Sequence, residues 1–288
     1  MNVVDLRSVS FRYAGSDRNV LSDINLKIEE GESVLITGPS GCGKSTIARV
    51  IMGLIPHSYP GDFSGEAYVL GMNILENPVS RIATSCGIVF QNPENQLFTF
   101  SVEDDVAFGP ENLALPPYEI CRRVDESLRL VGIEHLRHAS PNSISGGEQQ
   151  KAAIASIISM YPSLIIFDEP TSMLDPSSSA SLIQSIFRLK ESLREMGKEI
   201  TLIIIEHRIN LLINHISRMI VVSDGKIVLD GDPMMVLNES FERGIPINIP
   251  PLLRIYFRIK DRCGLEKPPR SLKELLSYLR EGGWGRNG

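Results

Sequence analysis

The run GPSGCGKST at residues 38–46 constrains this chain more than any other stretch. It fits G-x-x-x-x-G-K-[ST], and it lies between the strand-like SVLIT and the helix-like IARVIMGL. A loop that binds phosphate must turn its backbone N–H groups inward, and Gly38, Gly41 and Gly43 let the chain curl that way. The helix that follows brings its positive end to the same point. Lys44 is placed to reach the outer phosphates as a point charge, and the Ser45 hydroxyl to coordinate Mg2+. A glycine-rich turn without a ligand would need neither the lysine, the hydroxyl nor the flanking strand and helix. Cys42 sits inside the loop, where it is expected to be tolerated rather than functional, while leaving the site open to thiol reagents.

The rest of the chain fits an α/β fold. Short β-branched apolar runs, SVLIT, GIVF at 87–90, LIIF at 164–167 and TLIII at 201–205, alternate with helix-like stretches. Asp224-Gly225, between RMIVVS and KIVLDG, predicts a tight hairpin and hence an antiparallel edge after the parallel core. Val9, Phe11 and Tyr13 alternate with polar residues, which predicts a small antiparallel layer within the first thirty residues. Residues from about 100 to 160 show no clear strand, and Val124, Leu128 and Val131 carry helical spacing. Beyond about 231 the composition shifts towards Pro and charge and ends in SLKELLSYLREG. There Ser271 and Glu274 form a capping-box pair, and Leu272, Leu275, Leu276 and Leu279 share a face that must dock on this chain or on a partner.

Charge and hydropathy exclude some functions. A net charge of -6 gives no basic footprint for nucleic acid. The strongest apolar runs stop at charged residues well short of the roughly 20 residues that a membrane helix needs. The N-terminus MNVVDLRSVSFRY lacks a basic stretch followed by an apolar core, so a cytoplasmic location is expected. The four cysteines, Cys42, Cys86, Cys121 and Cys263, form no CxxC pair and are expected to be reduced thiols.

Two acids follow the apolar strand in LIIFDEP. Ligands of open α/β sheets sit at such carboxyl ends, so Asp168 is expected to hold the metal, directly or through water, and Glu169 to orient the attacking water as general base. The strand TLIII ends in Glu206-His207, which could bring an imidazole to the same edge. At SISGGEQQ, Ser145 and Glu148 read as a capping box opening a helix, so Ser145, Gly146 and Gly147 would present a hydroxyl and free N–H groups to an anion.

The ordered series Tyr13, GPSGCGKST, Gln91, SISGGE, LIIFDE, SMLD and His207 resembles an ABC-type ATPase. The resemblance implies a P-loop NTPase (RecA-like) core with an N-terminal antiparallel β layer, an inserted α-helical subdomain at about 92–160 and an ATPase domain over 1–230. Residues 231–288 would be a small C-terminal extension that reinforces pairing. It further implies ATP and Mg2+ as ligands. ATP would be held by Tyr13, stacked on adenine, and by Gly38, Pro39, Ser40, Gly41, Cys42, Gly43, Lys44, Ser45 and Thr46. Metal contacts fall to Ser45, Gln91 and Asp168, and catalysis to Glu169, His207 and Gln91. Two subunits, identical or related, would sandwich two ATP molecules, so that Ser145, Gly146, Gly147 and Glu148 face the partner's nucleotide and Asp175 touches the partner. Glu148, where such signatures usually carry Gln, puts a negative charge near a phosphate and leaves the hydrolysis rate open.

NPENQLF after Gln91, EHR at 206–208 and the extension are similar to the ATPases of energy-coupling-factor transporters and cobalt or nickel importers. That branch implies a transmembrane scaffold protein seated against residues 91–98 and a separate membrane protein that captures a vitamin or metal ion. The ATPase would then lie peripherally on the cytoplasmic face of the membrane. The alternatives are a conventional ABC transporter ATPase, a silent ATP-binding half of a heterodimer, and an ABC ATPase acting on DNA or ribosomes.

Overall fold

The structure, a computed structural model, describes residues 1–263, 265, 267–269 and 272–281. Ser271 therefore lies outside the described residues. Two sheets enclose the phosphate-loop helix. The first is antiparallel and contains β1 (Asn2–Tyr13), β2 (Leu21–Glu29), β4 (Gly61–Val69) and β5 (Met72–Asn73), in the order β2-β1-β4-β5. The second contains β3 (Ser33–Thr37), β6 (Cys86–Val89), β7 (Leu164–Asp168), β8 (Thr201–Ile205), β9 (Arg218–Ser223) and β10 (Lys226–Gly231). Its order is β10-β9-β3-β8-β7-β6, parallel except for the β9–β10 pair.

The expected hairpin joins β9 to β10. Asp224 and Gly225 both have positive φ, 47° and 73°, which is the backbone of a type I′ turn. The antiparallel layer extends beyond the first thirty residues, because β4 pairs with β1 along its length. Its sequence, GDFSGEAYV, gave no alternation to read: most of its first six residues are polar or glycine and exposed.

Alternation along the central strands divides the interior in two. Val34 and Ile36 of β3 face the antiparallel layer, where Ile47 and Ile51 of α1 (Lys44–Ile51) meet Leu6, Phe11, Ile24 and Ile28. Leu35, Ile165, Phe167 and Ile204 point the other way, onto helices that follow. Each such side chain contributes about 1.5–3 kcal/mol by leaving water, so the sheet and its phosphate loop are held from both sides.

The short α2 (Leu54–His57) and α3 (Val79–Ile82) lead to β6. Beyond it, α4 (Val102–Asn112), α5 (Pro117–Val131) and α6 (Gly146–Ile158) pack together without an intervening strand. Val124, Leu128 and Val131 are buried, as their spacing predicts. The long α7 (Pro176–Glu195) covers the sheet between β7 and β8. After β10 come α8 (Pro233–Arg243), α9 (Pro251–Cys263) and α10 (Leu272–Glu281). Leu253, Tyr256 and Phe257 of α9 join the main core. On α10 only part of the expected apolar face is covered by this chain: Leu275 is buried, Leu272 and Leu276 are exposed, and the Leu279 side chain lies outside the described residues.

Candidate active site

The carboxyl ends of β3, β7 and β8 bring most of the site together. After β3 the chain passes through Gly38, Gly41 and Gly43, all at positive φ. A Cβ at Gly38 would stand 2.0 Å from the Val222 carbonyl, so glycine is required there for space as well as for conformation. No side chain caps α1 at Gly43, which leaves its first N–H groups to an anion. Lys44 is buried and folds over the loop, its Nζ donating to the carbonyls of Gly38 at 3.1 Å and Pro39 at 2.8 Å.

Ser45 Oγ donates to Asp168 Oδ1 at 3.0 Å. Burial pushes the Asp168 carboxyl above the usual range, and the Ser45 hydrogen bond opposes that rise. Glu169 follows in left-handed backbone at φ 50°, a strain of roughly 1–3 kcal/mol for a residue with a side chain. Its N–H donates to the Ile205 carbonyl at 2.9 Å, and its Oε1 lies 3.2 Å from His207 Nε2. The register Asp168↔Ile205 makes the residues after β7 and β8 neighbours, so the imidazole reaches the edge that the sequence indicated.

Other expected residues sit differently. Tyr13 packs edge-on against Phe11 and Tyr59, and its hydroxyl accepts from Arg49 Nη1 at 2.8 Å and lies 3.3 Å from Thr46 Oγ1. Gln91 is exposed and hydrogen-bonds to none of Ser45, Asp168 and Glu169. Gln96 does the anchoring instead: its amide oxygen accepts from Phe90 N at 3.1 Å and its amide nitrogen donates to the Ile88 carbonyl at 3.0 Å. Asp175 caps α7 by accepting from the N–H groups of Ser177 and Ser178 at 2.9 and 3.1 Å.

Two groups are more engaged or more buried than the sequence suggests. The Ser145 hydroxyl is not free: Glu148 Oε2 takes it at 2.7 Å and also accepts from Ser145 N at 2.8 Å. The capping box is complete, and the acid that completes it occupies the hydroxyl meant for an anion. Cys42 is buried, and burial pushes its thiol up against the pull of Lys44, so it is shielded from reagents rather than exposed to them. The signature stands apart from the phosphate loop. It borders a cleft of about 330 Å³ shared with Lys151, Leu174 and the start of α7, and no phosphate-loop residue lines that cleft.

Sequence reasoning missed Thr171 and the buried Glu206, which are hydrogen-bonded to each other across the two strand ends. The adjacency of β7 and β8, invisible in the sequence, is the signal that joins them.

The family model described as ABC transporter matches residues 21–172. A "Putative ABC transporter ATP-binding protein" of Pyrococcus horikoshii is 40% identical over 97% of both chains. This chain belongs to the ABC transporter ATP-binding family. A relative of the same description from Methanosarcina mazei is 41% identical over 96% of this ABC ATPase, which spans 47% of that protein's length. Among solved structures, cbiO1 from Clostridium perfringens, described as part of the ABC transporter complex cbiONQ, superposes with a TM-score of 0.73 at 30% identity. That match covers 91% of this chain and 96% of cbiO1. The cassette MJ0796, solved as a dimer in a post-hydrolysis state with ADP and Pi, superposes at 0.68 with 28% identity, over 80% of this chain and 98% of its own. The chain is thus an ATPase of the mixed α/β cassette type, from a family whose members form dimers. Among the described residues no helix is long and apolar enough to cross a membrane.

Proposed function

We propose that this ABC ATPase is the motor subunit of an energy-coupling-factor importer, paired with a second ATPase subunit against a membrane scaffold. What supports the branch above all is the reach of the cbiO1 likeness. Coverage of 91% cannot be attained without part of the stretch after Gly231, whereas MJ0796 covers 80%. A surface for the scaffold lies beside Gln91. Phe98 and Phe100 are 66% and 95% exposed, and Phe98 meets Phe108 edge-on at 4.9 Å. Aromatic side chains so placed favour burial by short helices of a partner.

The residues present fit Mg2+. Ser45 and Asp168 offer two hard oxygens side by side, and this ion uses few protein ligands together with phosphate and water. Bound there, it would neutralise charge on the outer phosphates. Lys44 leaves its two loop carbonyls to reach those phosphates. Glu169 accepts the proton of the attacking water, and His207, within reach of Glu169, contacts the γ-phosphate. Across the dimer, the Gly146 and Gly147 N–H groups and the Ser145 hydroxyl close on the partner's ATP, with Asp175 at the seam. Domains divide as the family suggests, with the ATPase over 1–230, its helical subdomain at about 92–160 and an extension over 231–288 that holds the pair together.

Purification from native membranes tests the branch. Recovery with one small multi-span scaffold and a substrate-capturing membrane protein is expected. Recovery with two dedicated permeases and an external binding protein would instead assign a conventional ABC importer. Glu169→Gln should retain ATP binding, abolish turnover and trap a closed dimer, and undiminished hydrolysis would remove Glu169 as base.

A further inference from the structure

The three residues after β8 each grip a different point of the segment after β7. Glu206, only 3% exposed, takes the Thr171 hydroxyl on Oε2. Its Oε1 accepts from the backbone N–H groups of His207 and Arg208 at 2.8 and 3.1 Å. Next, His207 Nε2 meets Glu169 Oε1 at 3.2 Å. Then Arg208 Nη1 donates to Ser179 Oγ at 2.6 Å and to the Leu174 carbonyl at 3.3 Å.

We propose that Glu206 and Arg208 are positioning residues for hydrolysis, which fix His207 against Glu169 and tie both to the turn that carries Asp175. The inference rests on the reading of Glu169 as base and His207 as γ-phosphate contact. His207 belongs to a loop, and its half-buried ring makes its hydrogen bond to Glu169. The residue types suit the task. A carboxylate accepts on both oxygens and so can hold one loop with each, whereas the amide of Gln would turn a donor towards one of them. A buried carboxylate is in turn stable only among such donors. Arginine reaches two acceptors from one planar head, and these two acceptors flank the N-terminus of α7. Asp175 caps that same N-terminus through Ser177 and Ser178. Displacement of Asp175 by an arriving subunit is therefore carried to His207 through Arg208.

The test is a double-substitution cycle in the full-length chain, measuring steady-state hydrolysis and equilibrium ATP binding. Arg208→Ala should lower kcat by about tenfold or more, as a misplaced catalytic group does, with ATP affinity unchanged. In a His207→Ala background the same substitution should cost nothing further. Glu206→Gln and Thr171→Val should behave likewise, and Thr171→Ser should keep wild-type turnover, which keeps the test open if the Glu206 variant does not fold. Equal losses in both backgrounds, or weakened ATP binding at unchanged kcat, would overturn the inference alone. Wild-type turnover in His207→Ala would overturn it together with the reading of His207.

Discussion

Glu148→Gln isolates the one acid in the signature. In the native chain, Glu148 Oε2 receives both the Ser145 hydroxyl and the Ser145 N–H, and the hydroxyl bond holds the carboxyl below the usual range. The acid is therefore ionised at neutral pH and, in the proposed dimer, stands where the partner's γ-phosphate would need a donor. Hydrogen bonds to charged groups contribute about 1.5–3 kcal/mol and neutral ones about 0.5–1.5 kcal/mol. For this solvent-exposed pair the difference is taken as no more than about 1 kcal/mol, because solvent screens it. Glutamine keeps the capping box, since its carbonyl still accepts from Ser145 N. What it gives up at the helix N-terminus is a charge–dipole term of about 0.3–1 kcal/mol, which lowers folding stability without touching the ATP interface. Release of the hydroxyl and removal of a like charge both act on the closed dimer, so there the gain dominates. In a Glu169→Gln background, dimer formation followed by light scattering against ATP concentration should shift to about fivefold lower ATP, the equivalent of 1 kcal/mol per site. An unchanged or weaker ATP response would refute the view that Glu148 competes with phosphate for Ser145.

Three further outcomes are expected. Asp168→Asn should raise the melting temperature of the nucleotide-free protein while abolishing hydrolysis. The sign follows from the raised carboxyl: its charged form is disfavoured by folding, so ionisation lowers stability as pH rises through its folded pKa, and the amide avoids that loss. A calorimetric melt with a lower midpoint would contradict it. Phe100→Ser should leave folding within about 0.5 kcal/mol of the wild type and leave hydrolysis by the free subunit intact, because the ring is almost fully exposed, yet release the subunit from membranes in flotation assays. In mass-spectrometric labelling of the native protein, exposed Cys121 should react well before buried Cys42 and Cys86. Early modification of Cys42 would show that the phosphate loop opens in solution.

What could be read from the sequence follows how local each determinant is. The phosphate loop was legible because three glycines, a lysine and a serine act within nine residues, between a strand and a helix announced by their own composition. Strands β3, β7 and β8 were legible because burial on both faces leaves them almost wholly apolar. β4 was not, since its strand character comes from pairing with β1 rather than from its own side chains.

The site divides in the same way. Glu169 and His207 could each be placed at a strand end, and the sheet then set them 3.2 Å apart. Thr171 and Glu206 lie 35 positions apart, and a pair of common polar residues at that distance carries no pattern. The signature shows a different limit. Its residues declared a capping box, and the box formed, yet the hydroxyl it was expected to offer is the one its own glutamate consumes. A motif fixes which groups stand at a site, but their availability depends on the hydrogen bonds they have already made. In the proposed dimer, the Ser145 hydroxyl exchanges Glu148 for phosphate as the second subunit closes.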